Sequence, residues 1–81
     1  MRVNVKLFAV VRDRAGTAET ELELPASANV AIVRDALAVK FPAIREHLHH
    51  AAFAVNRNYA GLSTKLEDGD EVAVIPPVSG G

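Results

Sequence analysis

The chain has 81 residues, 49% of them apolar, and no cysteine; that length builds one domain, near the lower limit for folding without a metal or a disulfide. A formal net charge of −1 gives no electrostatic reason to bind nucleic acid or an anionic membrane, and the missing cysteine excludes a disulfide framework, a cysteine-ligated cluster and a thiol nucleophile. No stretch reaches membrane-spanning length, and the alternation after Met1-Arg2 does not open the apolar run of a signal peptide, so a cytoplasmic protein is expected.

In chain order, residues 2–9 place Val3, Val5 and Leu7 on one face at a period of two, which predicts a strand. Residues 10–16 form a short helical turn closed by Gly16, and Thr20–Leu24 alternates again until Pro25 ends it. Asn29 is suited to cap a helix over 30–40, because its side-chain oxygen can accept from a free amide of the first turn. Val30, Val33, Leu37 and Phe41 make the apolar stripe of that helix, with Ile32, Ala36 and Val39 widening it. Pro42 breaks the helix, and a second short helix follows over Ile44–His49. Residues 52–56 predict a third strand with Phe53 and Val55 inward. Glu67-Asp68-Gly69-Asp70 is a turn, Glu71–Ile75 is the last strand, and Pro76-Pro77 stops the ladder because neither residue can donate a hydrogen bond.

The order β, β, α, β, (β), β defines an α+β domain, a mixed sheet of four to five strands with one main helix packed across one face. The opposite face carries Arg2, Asn4, Lys6 and Phe8 from the first strand, and Glu71, Ala73 and Ile75 from the last. Phe8 and Ile75, joined by Tyr59 from the irregular segment before Leu66, form a candidate docking patch beside the C-terminal tail. The tail ends in Gly80-Gly81, which leaves the terminal carboxylate without a neighbouring side chain, so a partner can draw it through a narrow slot.

Four pieces of the chain form a recognisable set: Leu7-Phe8-Ala9, Val11-Arg12-Asp13 and Gly16; Ala54-Val55-Asn56; Leu66 and Asp68-Gly69-Asp70-Glu71-Val72-Ala73; and Pro76-Pro77-Val78-Ser79-Gly80-Gly81. In these the chain resembles the MoaD family, the small subunits of molybdopterin synthase, which are ubiquitin-like sulfur carriers. The resemblance implies a β-grasp domain over residues 1–76 and a flexible tail over 77–81. The chain departs from the family pattern at Val74 and Ile75, where bulkier aromatics are usual, and at Tyr59, where a leucine-like residue is usual.

The resemblance further implies that an adenylating enzyme (MoeB-like) uses ATP and magnesium to activate Gly81, the carrier itself binding no cofactor. A carboxylate has a reference pKa of about 3.5, is ionised at neutral pH and is a poor electrophile, which is why activation is needed. A sulfur donor such as a cysteine desulfurase or rhodanese then supplies the sulfur of a Gly81 thiocarboxylate. The large subunit (MoaE-like), expected in a heterotetramer with the small one, receives that sulfur and builds the dithiolene of molybdopterin. Gly80 and Gly81 are the carrier residues, and Phe8, Arg12, Tyr59, Ile75, Pro76, Pro77, Val78 and Ser79 are the candidate partner contacts. A carrier for thiazole or tRNA thiolation, or a protein modifier, is the alternative. His47, His49 and His50 read as a solvated helix end and not a metal site. Arg12, Arg14 and Arg57 are able to salt-bridge to an acidic partner, Arg12 being favoured by its place in the matching motif, while Arg14 and Arg57 read equally as solvated charge. Asp68, Asp70 and Glu71 read as turn residues. No catalytic constellation is present in the sequence.

Overall fold

The computed structural model describes residues 1–77; Val78, Ser79, Gly80 and Gly81 lie outside the described residues. Alternation along β1 (Arg2–Leu7) buries Val3, Val5 and Leu7 and leaves Arg2, Asn4 and Lys6 on the other face. β2 (Glu19–Glu23) pairs with it antiparallel, Val3 opposite Leu22 and Val5 opposite Thr20. Between them lies α1 (Ala9–Ala15), so the first strand ends at Leu7 and not at residue 9. The cause is local: Ala9 takes φ +51°, in the left-handed region, which turns the chain out of the strand. Gly16, at φ +79°, closes α1 and donates its N–H to the Arg12 carbonyl at 3.0 Å.

α2 (Val30–Lys40) begins where Asn29 Oδ1 accepts from the Ile32 amide at 3.0 Å. Val30, Val33 and Leu37 are fully buried, and Ala36 and Phe41 pack against them. Ile32 and Val39 do not widen the stripe; both are exposed, Val39 to 79%. At 3.6 residues per turn they point roughly 130–150° away from the Val30–Val33–Leu37 direction, too far to reach the sheet. Past Pro42 a 3₁₀ turn (Pro42–Ile44) leads into α3 (Arg45–His50), contributing Ile44 and Leu48 to the core.

β3 (Ala52–Val55) and β4 (Asn58–Ala60) form a hairpin, and β5 (Glu71–Ile75) completes a five-stranded sheet in the order β2-β1-β5-β3-β4. The third strand stops at Val55 because Asn56 and Arg57 adopt φ +49° and +72°, a two-residue turn with both centres left-handed. Tyr59 thus stands on an edge strand and not in an irregular segment. β5 runs parallel to β1, with Val5 beside Val72 and Leu7 beside Val74, and antiparallel to β3, with Phe53 opposite Val74. All three helices lie on the face where Val3, Val5, Leu7, Phe53, Val72 and Val74 are buried. The fold is a β-grasp: the parallel pair lies at the sheet centre, the antiparallel strands flank it, and α2 is the main cover.

The acidic turn before β5 is a hydrogen-bonded joint. Asp68 Oδ1 accepts from the Arg2 amide at 2.7 Å, and Asp70 accepts from the Glu67 amide at 2.8 Å and from Asn56 Nδ2 at 3.0 Å. Gly69, at φ +86°, donates to the Arg2 carbonyl at 2.8 Å. These carboxylates serve main-chain and amide donors, so the spacing is accounted for by the turn.

Leu37→Ala should lower unfolding free energy by about 2–5 kcal/mol, as for a fully buried leucine truncated in a packed core. Asn29→Ala should cost about 1 kcal/mol through the lost cap. Val39→Ala should stay within about 0.5 kcal/mol, being a solvent-facing change. Urea unfolding of the three variants checks the order.

Candidate functional site

The face of the sheet without helices divides into two halves. Over β1 and β2 it is charged: Arg2 Nη2 lies 2.8 Å from Glu23 Oε1, Arg2 Nε 3.6 Å from Glu21, and Lys6 Nζ 3.8 Å from Glu19. The hydrogen bond to Glu23, with the charges of Glu23 and Glu21, holds the Arg2 guanidinium above its ordinary pKa. Alternating Glu19, Glu21 and Glu23 also guard β2, an edge strand, against pairing with another chain.

Over β5, β3 and β4 the same face is concave and apolar at its centre, with charged groups at its margin. The registers set Lys6 beside Ala73, Ala73 opposite Ala54, and Ala54 opposite Tyr59. Two alanines in the middle of this row leave a floor, and larger groups stand around it. The result is a depression of about 350 Å³ lined by Lys6, Phe8, Ala54, Arg57, Tyr59, Glu71, Ala73 and Ile75. Phe8 is 43% exposed and Tyr59 79%. The structure therefore brings Phe8, Ile75 and Tyr59 together: parity in the sequence suggested the first two, and Tyr59 joins them from the edge strand β4.

Sequence reasoning set Ala73 on this face but passed over Ala54 and the place of Arg57 at its rim. Ala54 and Ala73 shape the floor; alternation from the inward Phe53 already implied that Ala54 faces out. Arg57 stands on the rim because residues 56–57 make a hairpin, and the signal was the two-residue gap between the 52–55 and 58–60 runs. Arg12 does not line the depression; it is exposed on α1, its Nε 3.6 Å from Asp13 Oδ1.

The last described residues leave β5 beside this surface. Pro76 is buried and Pro77 exposed, and both line a cleft of about 330 Å³ with Val10, Glu46, His47 and His50. His47 Nδ1 is buried without a hydrogen-bond partner among the described residues, and His49 faces a different hollow, with Arg34 and Tyr59. Among the described residues, no group of three or more His, Asp or Glu is placed to hold a metal ion. No helix among them is long and apolar enough to cross a membrane. Val78, Ser79, Gly80 and Gly81, the remaining tail positions, lie outside the described residues.

The β-grasp sheet, with an apolar hollow at the end where its last strand leaves the domain, defines a ubiquitin-like protein. Within that class the chain belongs to the ThiS family, whose pattern matches residues 5–81. It is 43% identical over 82 residues to the molybdopterin synthase sulfur carrier subunit of Mycobacterium tuberculosis, covering 100% of this chain and 99% of that one. The structure of SAMP1 from Haloferax volcanii, a small archaeal modifier protein, is similar with a TM-score of 0.93 at 30% identity over 100% of both chains. A complex of subunits 1 and 2 of molybdopterin-converting factor from Helicobacter pylori holds a chain similar at TM-score 0.74 and 28% identity, again over 100% of both.

The hollow and the core are separable by substitution. Phe8→Asp should shift unfolding free energy by only about 1 kcal/mol, since that side chain is already half in water. Val74→Asp places an unpaired carboxylate in the core and should leave the chain unfolded. Circular dichroism with urea titration distinguishes the two outcomes.

Proposed function

We propose that this chain is the sulfur-carrier subunit of a molybdopterin synthase, working in the cytoplasm, with Gly81 as the group that carries sulfur. The observation that carries the reading is the full-length likeness to the Mycobacterium tuberculosis carrier subunit, which extends through the end of the chain. The ionised Gly81 carboxylate attacks the α-phosphorus of ATP in an adenylating partner, with magnesium neutralising the phosphates; pyrophosphate leaves and an acyl-adenylate forms. The terminal sulfur of a persulfide, supplied by a desulfurase or rhodanese, displaces AMP. A thiol then cleaves the sulfur–sulfur bond, leaving a thiocarboxylate on Gly81 and a disulfide on the donor. The absence of cysteine from the chain means that no side-chain thiol of the carrier competes for the activated carbonyl.

The body of the protein docks and the tail delivers. Phe8, Tyr59 and Ile75 around the alanine floor offer the partner an apolar surface, with Arg12, Pro76, Pro77, Val78 and Ser79 as further contacts. The partner is the synthase large subunit, and the Helicobacter pylori complex of subunits 1 and 2 supports that assignment; two carriers and two large subunits make the heterotetramer. Two glycines at the tip let the main chain lie flat in a channel, and the Pro76-Pro77 stem limits the freedom lost on insertion, each ordered residue costing about 1–2 kcal/mol. A protein modifier is the second reading, favoured by the likeness to the small archaeal modifier of Haloferax volcanii.

Incubated with an adenylating enzyme, ATP, magnesium and a persulfide source, the chain should gain the mass difference of one oxygen replaced by sulfur, and a chain lacking Gly81 should gain nothing. The charged carrier mixed with the large subunit should convert the pterin precursor to molybdopterin. Conjugates on lysine with no molybdopterin would favour the modifier reading. Phe8→Asp should retain the fold yet lose measurable binding to the large subunit; undiminished binding would refute the docking surface.

A further inference from the structure

We infer that Arg57 is a specificity-determining contact of the docking face, pairing with a carboxylate on the partner protein; this rests on the reading above, in which that partner is the synthase large subunit. The first ground is conformational. Asn56 and Arg57 are the two centres of the β3–β4 turn, at φ +49° and +72°. A turn of this hand favours Asn followed by Gly, because the second centre suits a residue without a Cβ.

Asn56 fits its position and is secured there. Its Nδ2 donates to Asp70 Oδ1 at 3.0 Å, its Oδ1 accepts from the Glu71 amide at 3.0 Å, and its own amide donates to the Glu71 carbonyl at 2.8 Å. Arg57 has no comparable tie: among the described residues, no carboxylate lies within ion-pair distance of its guanidinium. The chain holds a strained arginine where glycine would be more stable, and nothing in the fold accounts for it. Strain of this kind gathers at functional sites.

The second ground is charge. The depression has two cations, Lys6 and Arg57, and one anion, Glu71. Lys6 lies 3.5 Å from Glu71 Oε2 and 3.8 Å from Glu19 Oε1, so its charge is matched within the face. Arg57 is left as the unmatched charge among the lining residues, beside Phe8, Tyr59 and Ile75. A surface complementary to this face is apolar at its centre with an acidic side chain opposite Arg57. The planar fork of a guanidinium suits a carboxylate, which it binds through two parallel hydrogen bonds. The turn anchored by Asn56 fixes the base of the side chain, which limits the ordering cost on binding.

The test pairs stability with affinity. Arg57→Gly, Arg57→Gln and Phe8→Asp are made in the full chain, melted, and titrated calorimetrically into the synthase large subunit. Arg57→Gly should melt about 4–8 °C higher, as relief of left-handed strain in a domain this size, and bind about tenfold more weakly, the difference narrowing as salt is raised. Arg57→Gln should bind as weakly without the higher melting temperature. If Phe8→Asp abolishes binding while Arg57→Gly binds within about twofold of the unmodified chain, Arg57 is a tolerated turn residue and this inference falls alone. If the unmodified chain does not bind the large subunit, the function reading falls and takes this inference with it.

Discussion

The pairing of β1 with β5 governs what the rest of this molecule can do. These strands are neighbours and parallel, although one opens the chain and the other closes the domain. A parallel pair brings the two C-terminal ends to the same edge of the sheet. Leu7 stands beside Val74, so the next residues out, Phe8 and Ile75, continue side by side on the open face. The main chain that leads to Gly81 leaves from that same edge. Were β5 antiparallel to β1, the exit of the tail and Phe8 would lie at opposite ends of the sheet. The core pays attention to the same constraint, since Val5, Leu7, Val72 and Val74 interlock under the helices only in this register.

The two faces of one sheet are thus put to separate uses, and small residues decide where. On the helix side the strands carry branched and aromatic residues, which fill the core. On the open side the row Lys6, Ala73, Ala54, Tyr59 is large at its ends and small in its middle. That profile makes a hollow without any loop having to build one. The backbone at its margin is held in sparsely used conformations: Ala9 follows Phe8 at φ +51°, and Asn56-Arg57 closes the hairpin. Each such non-glycine residue costs on the order of 1 kcal/mol, a sizeable fraction of the stability available to a domain this small.

Most of the architecture was legible in the sequence because it rests on periodicity. Alternation located β1, β2, β3 and β5, and the cap at Asn29 with the Val30–Val33–Leu37 spacing located α2. The exposure of Ile32 and Val39 was legible too: at 3.6 residues per turn their positions fall off the Val30–Val33–Leu37 stripe, and their apolar character alone widened it. What could not be read was contributed by tertiary context. β4 is three residues long, too short for a period to register, so Tyr59 gained its place only once the turn at Asn56-Arg57 was known. At the site, parity predicted that Phe8 and Ile75 share a face, while the alanine floor required the register between strands that are distant in sequence.

Chain length supplies the last link between docking and chemistry. Under the proposed function Gly81 carries the reacting carboxylate; residues 78–81 follow Pro77, and an extended chain covers at most about 3.6 Å per residue, so that carboxylate would reach no farther than about 14 Å from Pro77. A partner that bound the charged half of the sheet over β2, or the outer surface of α2, would have to bring its active centre around the domain to meet the tail. A partner seated on the apolar hollow need only place that centre a short distance past Pro77. The hollow and the carboxylate therefore act as one device under the proposed function. Surface chemistry selects the partner, the parallel pair fixes where the tail departs, and the short tether confines the reacting group to the neighbourhood of the contact, raising its effective concentration there.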